Sequence, residues 1–485
     1  MSRVLSAISE HARSRPLDAA LVGRRLSLSW RELVSEVAHA KAWLGGLLAG
    51  ESASRPVAVA LDNGPAWVVI DLALAALGRP SVPLPVFFTP QQRLHALTDA
   101  GACLLVRPPA AATSPIFTVA GAEVMAELLP FAPRELPLGT AKVTYTSGST
   151  GAPKGVCLSL DQMEAVALSL VEVIGAEFAG RHLAVLPLGV LLENVAGLYP
   201  TLLAGGCYHA LGLADLGFAD GLRPDIGQLT AVVEALGINS LILVPELLRA
   251  LTAHLATTGL RLPSLQLVAV GGAKLSPRLI ETAQGVGIPV YEGYGLSECA
   301  SVVALNTPRA ERTGTVGQVL PHLSVTMASD GEIIISPSPF LGYVGAPAPS
   351  GHLRTGDVGT LDDDGFLALS GRKSNVLITA FGRNIAPEWV ESELLAQPEI
   401  GQAVVFGEGA PELCAVIVPS RGDLRPEALQ AAVARANAQL PTYAQVARWR
   451  GAPPFDPARG ELTGNGRPRR GVLRETHQAF IDQQS

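Results

Sequence analysis

Residues 145–155 read YTSGSTGAPKG and combine three glycines with four Ser and Thr hydroxyls and one lysine. Glycine tolerates positive φ and leaves room for close approach, so this segment can turn its backbone N–H groups towards an anion. The order differs from the P-loop pattern G-x-x-x-x-G-K-[ST], because Lys154 is followed by Gly155 and not by a hydroxyl that could hold Mg²⁺. A phosphate-binding loop is predicted, and a solvated Gly/Ser surface loop is the alternative. The candidate phosphate ligands are Thr146, Ser147, Gly148, Ser149, Thr150, Gly151 and Lys154.

Two further segments carry residue types that suit a nucleotide. The first is a glycine pair, Gly271 and Gly272 with Ala273, at the end of the apolar stretch 265–270, where a flat ligand could lie against backbone. The second is YEGYGLSE at 291–298, in which a tyrosine could stack on a purine and a glutamate could hold Mg²⁺. A tight turn and an ordinary loop with one core tyrosine are the alternatives. The candidate residues of the second segment are Glu292, Gly293, Tyr294, Gly295, Ser297 for a phosphate oxygen and Glu298 for Mg²⁺.

Together with RTGDVG at 354–359, GRKSNVLITAFGRNIAPEWVE at 371–391 and LTGNGRPRRGVL at 462–473, these segments resemble the motifs of the adenylate-forming superfamily. That superfamily contains acyl-CoA synthetases, peptide-synthetase adenylation domains and firefly-type luciferases, and this chain is most similar to its fatty acyl-CoA synthetases. The resemblance implies that Asp357 binds both ribose hydroxyls and that Arg372 contacts the ribose or a phosphate. It places Ser374 at the interdomain hinge and Gly382 beside the pantetheine channel. It also places Arg467 where relatives usually have a catalytic lysine, and arginine is bulkier and planar.

The implied reaction begins with attack of a carboxylate on the α-phosphate of ATP, which gives an acyl-adenylate and pyrophosphate. Ser297, Glu298, Lys154 and Arg467 are the implied catalytic residues, with Mg²⁺ on Glu298. The adenylate then passes to a thiol, which is CoA or the phosphopantetheine arm of an acyl or peptidyl carrier protein. Two alternatives remain: an enzyme that loads a carrier protein or forms an amide, and a nucleotide- or acyl-binding homologue with impaired catalysis.

Residues 186–197 (LPLGVLLENVAG) resemble the stretch that lines the acyl pocket in the superfamily. Val190 takes the place of a histidine found in many relatives, and no acidic residue stands where amino-acid-activating relatives bind the substrate ammonium. Glu193 matches a glutamate common in long-chain synthetases. An apolar pocket without a counter-ion favours a fatty or other uncharged carboxylic acid. The candidate pocket residues are Val190, Leu191, Asn194 and Gly197.

The composition excludes several other classes of protein. A net charge of −7 gives no basic footprint for nucleic acid, and five scattered cysteines suggest neither a disulfide framework nor a zinc site. The start of the chain lacks a long apolar signal region, and the most apolar early run, at 67–78, is too short to span a bilayer and carries Asp71. A cytoplasmic protein without a membrane span is predicted.

The order of elements predicts an α/β fold. Apolar strands at 56–61, 81–85 and 103–106 alternate with helices at 66–77 and 90–100, which is typical of a mainly parallel sheet covered on both faces. A helix is predicted at 27–48, and another at 226–236 precedes a strand at 240–244. Short strands with Gly and Asp turns at 314–369 indicate a small antiparallel or β-barrel-like section. The predicted domains are a large N-terminal domain, 1–371, and a small mobile C-terminal α+β domain, 372–485.

Overall fold

The computed structural model describes residues 2–52, 54–109, 116–146, 153–218, 224–347, 349, 351–463 and 467–483. The α-helices in these ranges are α1 (Arg3–Ser14), α2 (Trp30–Leu47), α3 (Pro65–Leu77), α4 (Pro90–Asp99), α5 (Leu160–Ile174), α6 (Tyr199–Ala204), α7 (Ile226–Leu236), α8 (Pro245–Thr258), α9 (Pro277–Gly285), α10 (Pro387–Leu395), α11 (Pro426–Asn437), α12 (Arg470–Thr476) and α13 (Gln478–Ile481). A π-helix, Leu192–Leu198, precedes α6.

The strands are β1 (Ala19–Val22), β2 (Ser27–Ser29), β3 (Val57–Val59), β4 (Ser81–Pro83), β5 (Leu104–Arg107), β6 (Ile116–Val119), β7 (Ala122–Leu128), β8 (Thr140–Thr146), β9 (Lys154–Ser159), β10 (Arg181–Leu183), β11 (Cys207–His209), β12 (Ser240–Leu243), β13 (Leu267–Val270), β14 (Val290–Tyr294), β15 (Ala304–Leu305), β16 (Gln318–Val319), β17 (Ser324–Met327), β18 (Glu332–Ser336), β19 (Gly342–Tyr343), β20 (Leu353–Leu361), β21 (Leu367–Arg372), β22 (Leu377–Ile378), β23 (Asn384–Ile385), β24 (Ile400–Phe406), β25 (Leu413–Pro419) and β26 (Val446–Gly451).

Two large sheets form the N-terminal part of the molecule. One has the order β19-β9-β8-β4-β3-β5-β7-β6, and the other β16-β15-β14-β13-β12-β10-β11-β1-β2. The central strands of both sheets pair in parallel, while the edges pair antiparallel. Buried aromatic side chains such as Trp30, Trp67 and Tyr208 fill the core beneath them. This arrangement confirms the predicted α/β fold.

The predicted helix at 27–48 is wrong at its start. Residues Ser27–Ser29 form β2, and α2 begins at Trp30. The hydroxyl of Ser29 accepts from the backbone N–H of Glu32, and the Glu32 carboxylate accepts from the N–H of Ser29. This capping box sets the helix boundary, so the residues before it are free to pair with β1.

A third sheet, in the order β17-β18-β20-β21, is antiparallel and lies where the sequence predicts a small antiparallel section. After it come a short hairpin, β22-β23, and a three-stranded sheet, β24-β25-β26, that packs with α10 and α11 around its own apolar core. The division into domains at residues 371 and 372 stays a prediction.

Arg249 connects the N-terminal part of the chain with the C-terminal elements that follow β23. Arg249 on α8 donates from Nη1 to the carbonyl oxygen of Leu395 at 2.9 Å and from Nη2 to that of Gly401 at 3.0 Å. Loss of solvation lowers the pKa of Arg249, because the guanidinium lies between α8 and the end of α10. In this arrangement the end of α10 and the start of β24 therefore lie against α8.

Within the described ranges, every helix is too short or too polar to cross a bilayer.

Candidate active site

Strands β8 and β9 hold the two ends of the predicted phosphate loop together. They pair antiparallel, with Tyr145 opposite Gly155 and Thr146 opposite Lys154. The predicted ligands Ser147, Gly148, Ser149, Thr150 and Gly151 lie outside the described residues. Thr146 and Lys154 therefore mark where the loop leaves and rejoins the sheet.

The C-terminal end of this loop is packed against aromatic rings. A Cβ atom on Gly155 would lie 3.0 Å from the ring and hydroxyl of Tyr145, which is tighter than ordinary contact, so glycine is needed there. The Tyr145 hydroxyl donates to Asp99 at 2.8 Å, and His95 Nε2 lies 2.8 Å from the carbonyl oxygen of Pro153. Helix α4 thus anchors the segment that carries Lys154.

The predicted glycine pair follows β13, and its second member needs glycine. Gly272 has φ +97°, in the left-handed region. The position of a Cβ atom on Gly271 lies 3.4 Å from the carbonyl oxygen of Gly293 on β14. The turn therefore lies directly beside the second predicted nucleotide segment.

Glu298 is held by a tight turn after β14. Ala300 and Ser301 have φ +50° and +109°, which is uncommon for residues with a Cβ atom. A Cβ atom on Gly295 would overlap the carbonyl oxygen of Ser301, so only glycine fits. Such strained positions cluster at functional sites, where surrounding structure fixes them. Glu298 lies inside this constrained turn, half-buried, and Ser297 precedes it.

Asp357 is held by two partners from other segments. The Tyr294 hydroxyl donates to Asp357 Oδ2 at 2.6 Å, and Arg372 Nε lies 3.2 Å from Asp357 Oδ1. Burial raises the pKa of Asp357, and the positive charge of Arg372 and the Tyr294 hydrogen bond oppose that rise. Burial and the Asp357 charge also raise the pKa of Tyr294, so its hydroxyl stays protonated as a donor. A fixed carboxylate of this kind suits a pair of adjacent hydroxyl groups.

Arg467 reaches this group from the C-terminal part of the chain. Its Nη2 atom lies 3.6 Å from the position of a Cβ atom on Gly272. Arg467 is exposed as a residue, but loss of solvation at its guanidinium lowers its pKa, while the charge of Glu246 raises the pKa and that of Arg372 lowers it. In turn, the Arg467 charge lowers the pKa of Asp357. Arg467 is therefore part of the same electrostatic cluster as the predicted ribose site.

Tyr343 links two of the predicted catalytic residues. Its hydroxyl donates to Glu298 Oε1 at 2.8 Å, and the ammonium of Lys154 lies 5.6 Å from the centre of its ring. Burial and the Glu298 charge raise the pKa of Tyr343. Tyr343 was not among the predicted site residues, because a tyrosine in a two-residue strand 45 residues from Glu298 carries no local signal.

Glu292 is placed differently from its neighbours in the YEGYG segment. It is 8 % exposed, and its Oε1 accepts from the N–H of Leu275 at 3.3 Å. Burial raises the pKa of Glu292 to about 7, although the Leu275 bond and the charge of Lys274 oppose the rise. The carboxylate thus supports the residues after the glycine pair, and direct contact of Glu292 with a nucleotide stays a prediction.

The segment 186–197 is held by a buried glutamate. Glu193 is fully buried, and its Oε1 lies 3.0 Å from His182 Nε2 and accepts from the Tyr208 hydroxyl at 2.8 Å. Its Oε2 accepts from the N–H of Leu186 at 3.2 Å. A Cβ atom on Gly197 would overlap Glu193 Oε1, so glycine at this position makes room for the network. Glu193 is therefore occupied by groups of the chain itself.

A second buried network involves Asn194. Lys142 Nζ donates to Asp71 Oδ1 at 2.7 Å and to Asn194 Oδ1, and Asn194 Nδ2 donates to Asp71 Oδ2 at 3.2 Å. The Tyr199 hydroxyl donates to the same Asp71 oxygen at 2.7 Å. Asn194 therefore uses its amide inside the core, and Val190 and Leu191 stand as the apolar candidates of the segment, the latter 6 % exposed.

Two family models match this chain. The AMP-binding enzyme model matches residues 8–337, and the model of the AMP-binding enzyme C-terminal domain matches residues 374–484. The chain belongs to the AMP-binding enzyme family. The match to the first model covers every strand of both large sheets except β19, together with the glycine-pair and Glu298 segments.

Curated relatives and solved structures extend this finding. The long-chain-fatty-acid–CoA ligase FadD15 of Mycobacterium tuberculosis is 34 % identical over 243 residues, which is 44 % of this chain and 40 % of that protein. The match thus spans less than half the length of that relative. Feruloyl-CoA synthase of an Amycolatopsis species is 29 % identical over 442 residues, 85 % of this chain and 87 % of that protein. O-succinylbenzoate coenzyme A synthetase (MenE) from Bacillus subtilis, solved in complex with ATP and magnesium ion, shares the fold with a TM-score of 0.76 at 22 % identity, covering 96 % of this chain and 99 % of that one.

Two predicted residues of this AMP-binding enzyme lie on the surface of its C-terminal part. Ser374 is exposed, and its hydroxyl donates to Asn375 Oδ1 at 3.1 Å. Gly382 is in the turn between β22 and β23, with φ +69° and open space around the position of a Cβ atom. The hinge role of Ser374 and the channel role of Gly382 stay predictions.

Proposed function

We propose that this AMP-binding enzyme is an AMP-forming acid–thiol ligase. It would activate a carboxylic acid with ATP to an acyl-adenylate and transfer the acyl group to a thiol, most simply that of CoA. The observation that carries the proposal is the meeting of Asp357, Tyr294 and Arg467 beside Gly272. Residues from both parts of the chain contribute to that one cluster.

The ribose and adenine would lie between the glycine pair and Tyr294. Asp357 is already fixed by Tyr294 and Arg372, so it presents its carboxylate to the ribose hydroxyls without reorganising. Arg372 would contact the ribose or a phosphate as well. The triphosphate would extend towards Lys154 and the loop that precedes it.

The first step is attack of a carboxylate oxygen on the α-phosphorus. A phosphorus–oxygen bond forms to the acid, and the bond to pyrophosphate breaks, so the electron pair leaves with pyrophosphate. The chain contributes position and positive charge, with Arg467 and Ser297 at the α-phosphate and Lys154 at the outer phosphates. Arg467 keeps the cation that the reaction needs, with a planar guanidinium instead of an ammonium.

Mg²⁺ fits the donor set of this site. No cluster of three or more His, Cys, Asp or Glu side chains capable of holding a metal occurs in the described ranges. Mg²⁺ in phosphate-transfer sites commonly uses one or two carboxylates together with substrate phosphates and water. Glu298 would supply the carboxylate, and the ion would neutralise phosphate charge when bound.

The acid is proposed to be a fatty acid or another uncharged carboxylic acid. Glu193 is the one charged residue in the segment 186–197, and it is bonded to His182, Tyr208 and the backbone. It is therefore not available as a counter-ion for the ammonium of an amino acid. The apolar side chains of Val190 and Leu191 support an apolar acyl group, and the FadD15 relative acts on long-chain fatty acids by name.

In the second step the thiol sulfur bonds to the acyl carbon, and AMP leaves with its electron pair. Arg467 lies beside Gly272 in the present arrangement, so the small domain would turn about Ser374 and bring the Gly382 segment over the adenylate. CoA is the proposed acceptor. A carrier-protein arm would use the same channel and is the alternative acceptor.

A pyrophosphate-release assay tests the proposal. Saturated fatty acids of several lengths, a cinnamate-type acid and amino acids would each be supplied with ATP and Mg²⁺, first alone and then with CoA or a phosphopantetheinylated carrier protein. We expect acid-dependent pyrophosphate release with fatty acids, little with amino acids, and acyl-CoA by mass spectrometry once CoA is added. Absence of pyrophosphate release with every acid would contradict the ligase activity, whereas release only with aromatic acids would contradict the fatty-acid assignment.

A further inference from the structure

Tyr343 contacts both charged groups that the proposed function places around the triphosphate. Its hydroxyl donates to Glu298 Oε1 at 2.8 Å, and its ring lies 5.6 Å from Lys154 Nζ. These two contacts use different parts of the side chain, so a substitution can remove the hydroxyl contact and keep the ring contact.

The place of Tyr343 in the fold explains how it reaches both. It lies on β19, the edge strand that pairs with β9, opposite Val156 and two residues along from Lys154. A Cβ atom on Gly155 would lie 2.8 Å from a methyl group of the next residue, Val344. Strand β19 is therefore closely packed against the end of the phosphate loop, and its tyrosine points across to the Glu298 turn.

We infer that Tyr343 is a positioning residue that orients Glu298 towards Mg²⁺ and Lys154 towards the outer phosphates. The inference rests on the proposed function. The Tyr343 hydroxyl donates to Oε1 of Glu298, so the other carboxylate oxygen remains available to bind the cation. Groups that hydrogen-bond a metal-binding carboxylate orient it and tune its affinity. The ring face attracts the ammonium of Lys154 and restricts where that long side chain can lie.

The test uses ATP binding and needs no acid substrate. For each variant, the dissociation constant of ATP is measured by calorimetry with excess Mg²⁺ and again with EDTA, and the ratio gives the factor by which Mg²⁺ tightens binding. Tyr343→Phe keeps the ring and removes the hydroxyl, so we expect this factor to fall about tenfold. A variant that merely loosens the structure would weaken both constants together and leave the factor unchanged.

Three further variants sharpen the test. Tyr343→Leu also removes the ring, so it should add a loss of ATP affinity that is the same with and without Mg²⁺. In a Glu298→Gln background, Tyr343→Phe should cause no further change in the factor, because the carboxylate on which the hydroxyl acts is gone. Tyr443→Phe, at a tyrosine that is 51 % exposed on the small domain, is the matched control and should leave the factor as in the wild type.

The outcomes separate this inference from the proposed function. If Tyr343→Phe leaves the factor unchanged or raises it, or if its effect persists in the Glu298→Gln background, the inference is overturned while the proposed function stands. If the wild-type protein binds ATP with no gain from Mg²⁺, Glu298 is not a metal-binding residue and the inference falls. If the wild-type protein does not bind ATP, both are overturned.

Discussion

Tyr294 and Asp357 are 63 residues apart in the chain, and a 2.6 Å hydrogen bond joins them. Tyr294 ends β14 in one large sheet, whereas Asp357 lies in β20 of the small antiparallel sheet. Arg372, opposite Asp357 on β21, approaches the other oxygen of the same carboxylate at 3.2 Å. Two segments that the sequence presents as separate motifs thus form one site, which fixes the carboxylate proposed to bind ribose.

Replacing Asp357 tests that assignment. We expect Asp357→Ala to weaken ATP binding at least tenfold, because a hydrogen bond to a charged group contributes about 1.5–3 kcal/mol. Calorimetric titration with ATP measures the effect, and circular dichroism checks that the fold is kept. Asp363→Ala, at an exposed acidic residue of the 362–365 turn, is the matched control. Unchanged ATP affinity in Asp357→Ala would refute the ribose assignment.

Arg467 provides a test of catalysis that is separate from binding. We expect Arg467→Ala to lower the rate of acyl-adenylate formation by at least about a hundredfold, because it removes a cation from the reacting phosphate. Pyrophosphate release at saturating ATP and acid measures the rate, and Arg421→Ala, whose side chain is 73 % exposed, is the control. If the wild-type rate of acyl-adenylate formation is near zero and rises strongly in Arg467→Lys, the protein is an impaired homologue.

The sequence predicted the elements whose signals are local. Helix α7 was predicted with its observed bounds, and in the structure Asp225 caps its start and Gly237, in the left-handed conformation, ends it. The alternation of strands and helices predicted the parallel sheets in the same way. The start of α2 was misplaced, since the apolar spacing continues through Ser29 and only the capping box marks the boundary.

The residues of the candidate site were predicted only in part. Tyr294 was named from the residue types of its segment, and Asp357 and Arg467 from the resemblance to the adenylate-forming superfamily. The structure brings these three together. Tyr343 was missed, and Asn194 was named for a pocket although its amide lies in a buried network. Partners of such residues are distant in the chain, and no local pattern in a single sequence specifies them.

The buried carboxyl group of Glu292 predicts a dependence of stability on pH. Its pKa in the folded protein is about 7, raised from 4.5, so the folded state favours the protonated form. Stability from this group is fully present below pH 4.5 and is lost as the pH rises through 7, with a total on the order of 3 kcal/mol. We therefore expect Glu292→Gln to raise the midpoint of thermal unfolding at pH 8 but to change it little near pH 4.5.

Thermal scans of both proteins between pH 4.5 and 8 measure this difference. Glutamine keeps an acceptor for the N–H of Leu275, so the substitution removes the charge and little else. Glu281→Gln, at an exposed glutamate on α9, controls for the change in net charge. If the midpoint of thermal unfolding depends on pH in the same way in the wild type and in Glu292→Gln, burial does not disfavour the charged form of Glu292.

The buried pair of Lys142 and Asp71 predicts a large effect of a single substitution and a small effect of a paired one. Both side chains are almost fully buried, at 2 % and 4 % exposure. Lys142→Met should destabilise the protein by about 3–5 kcal/mol, because it leaves the Asp71 charge buried without its partner. Adding Asp71→Asn removes that charge and keeps an acceptor for the Tyr199 hydroxyl, so the double variant should regain most of the lost stability. Urea denaturation followed by tryptophan fluorescence measures the stability of both variants, and Lys41→Met, at an exposed lysine, is the control. If the double variant is no more stable than Lys142→Met, packing of the lysine stem, and not its charge, stabilises this part of the core.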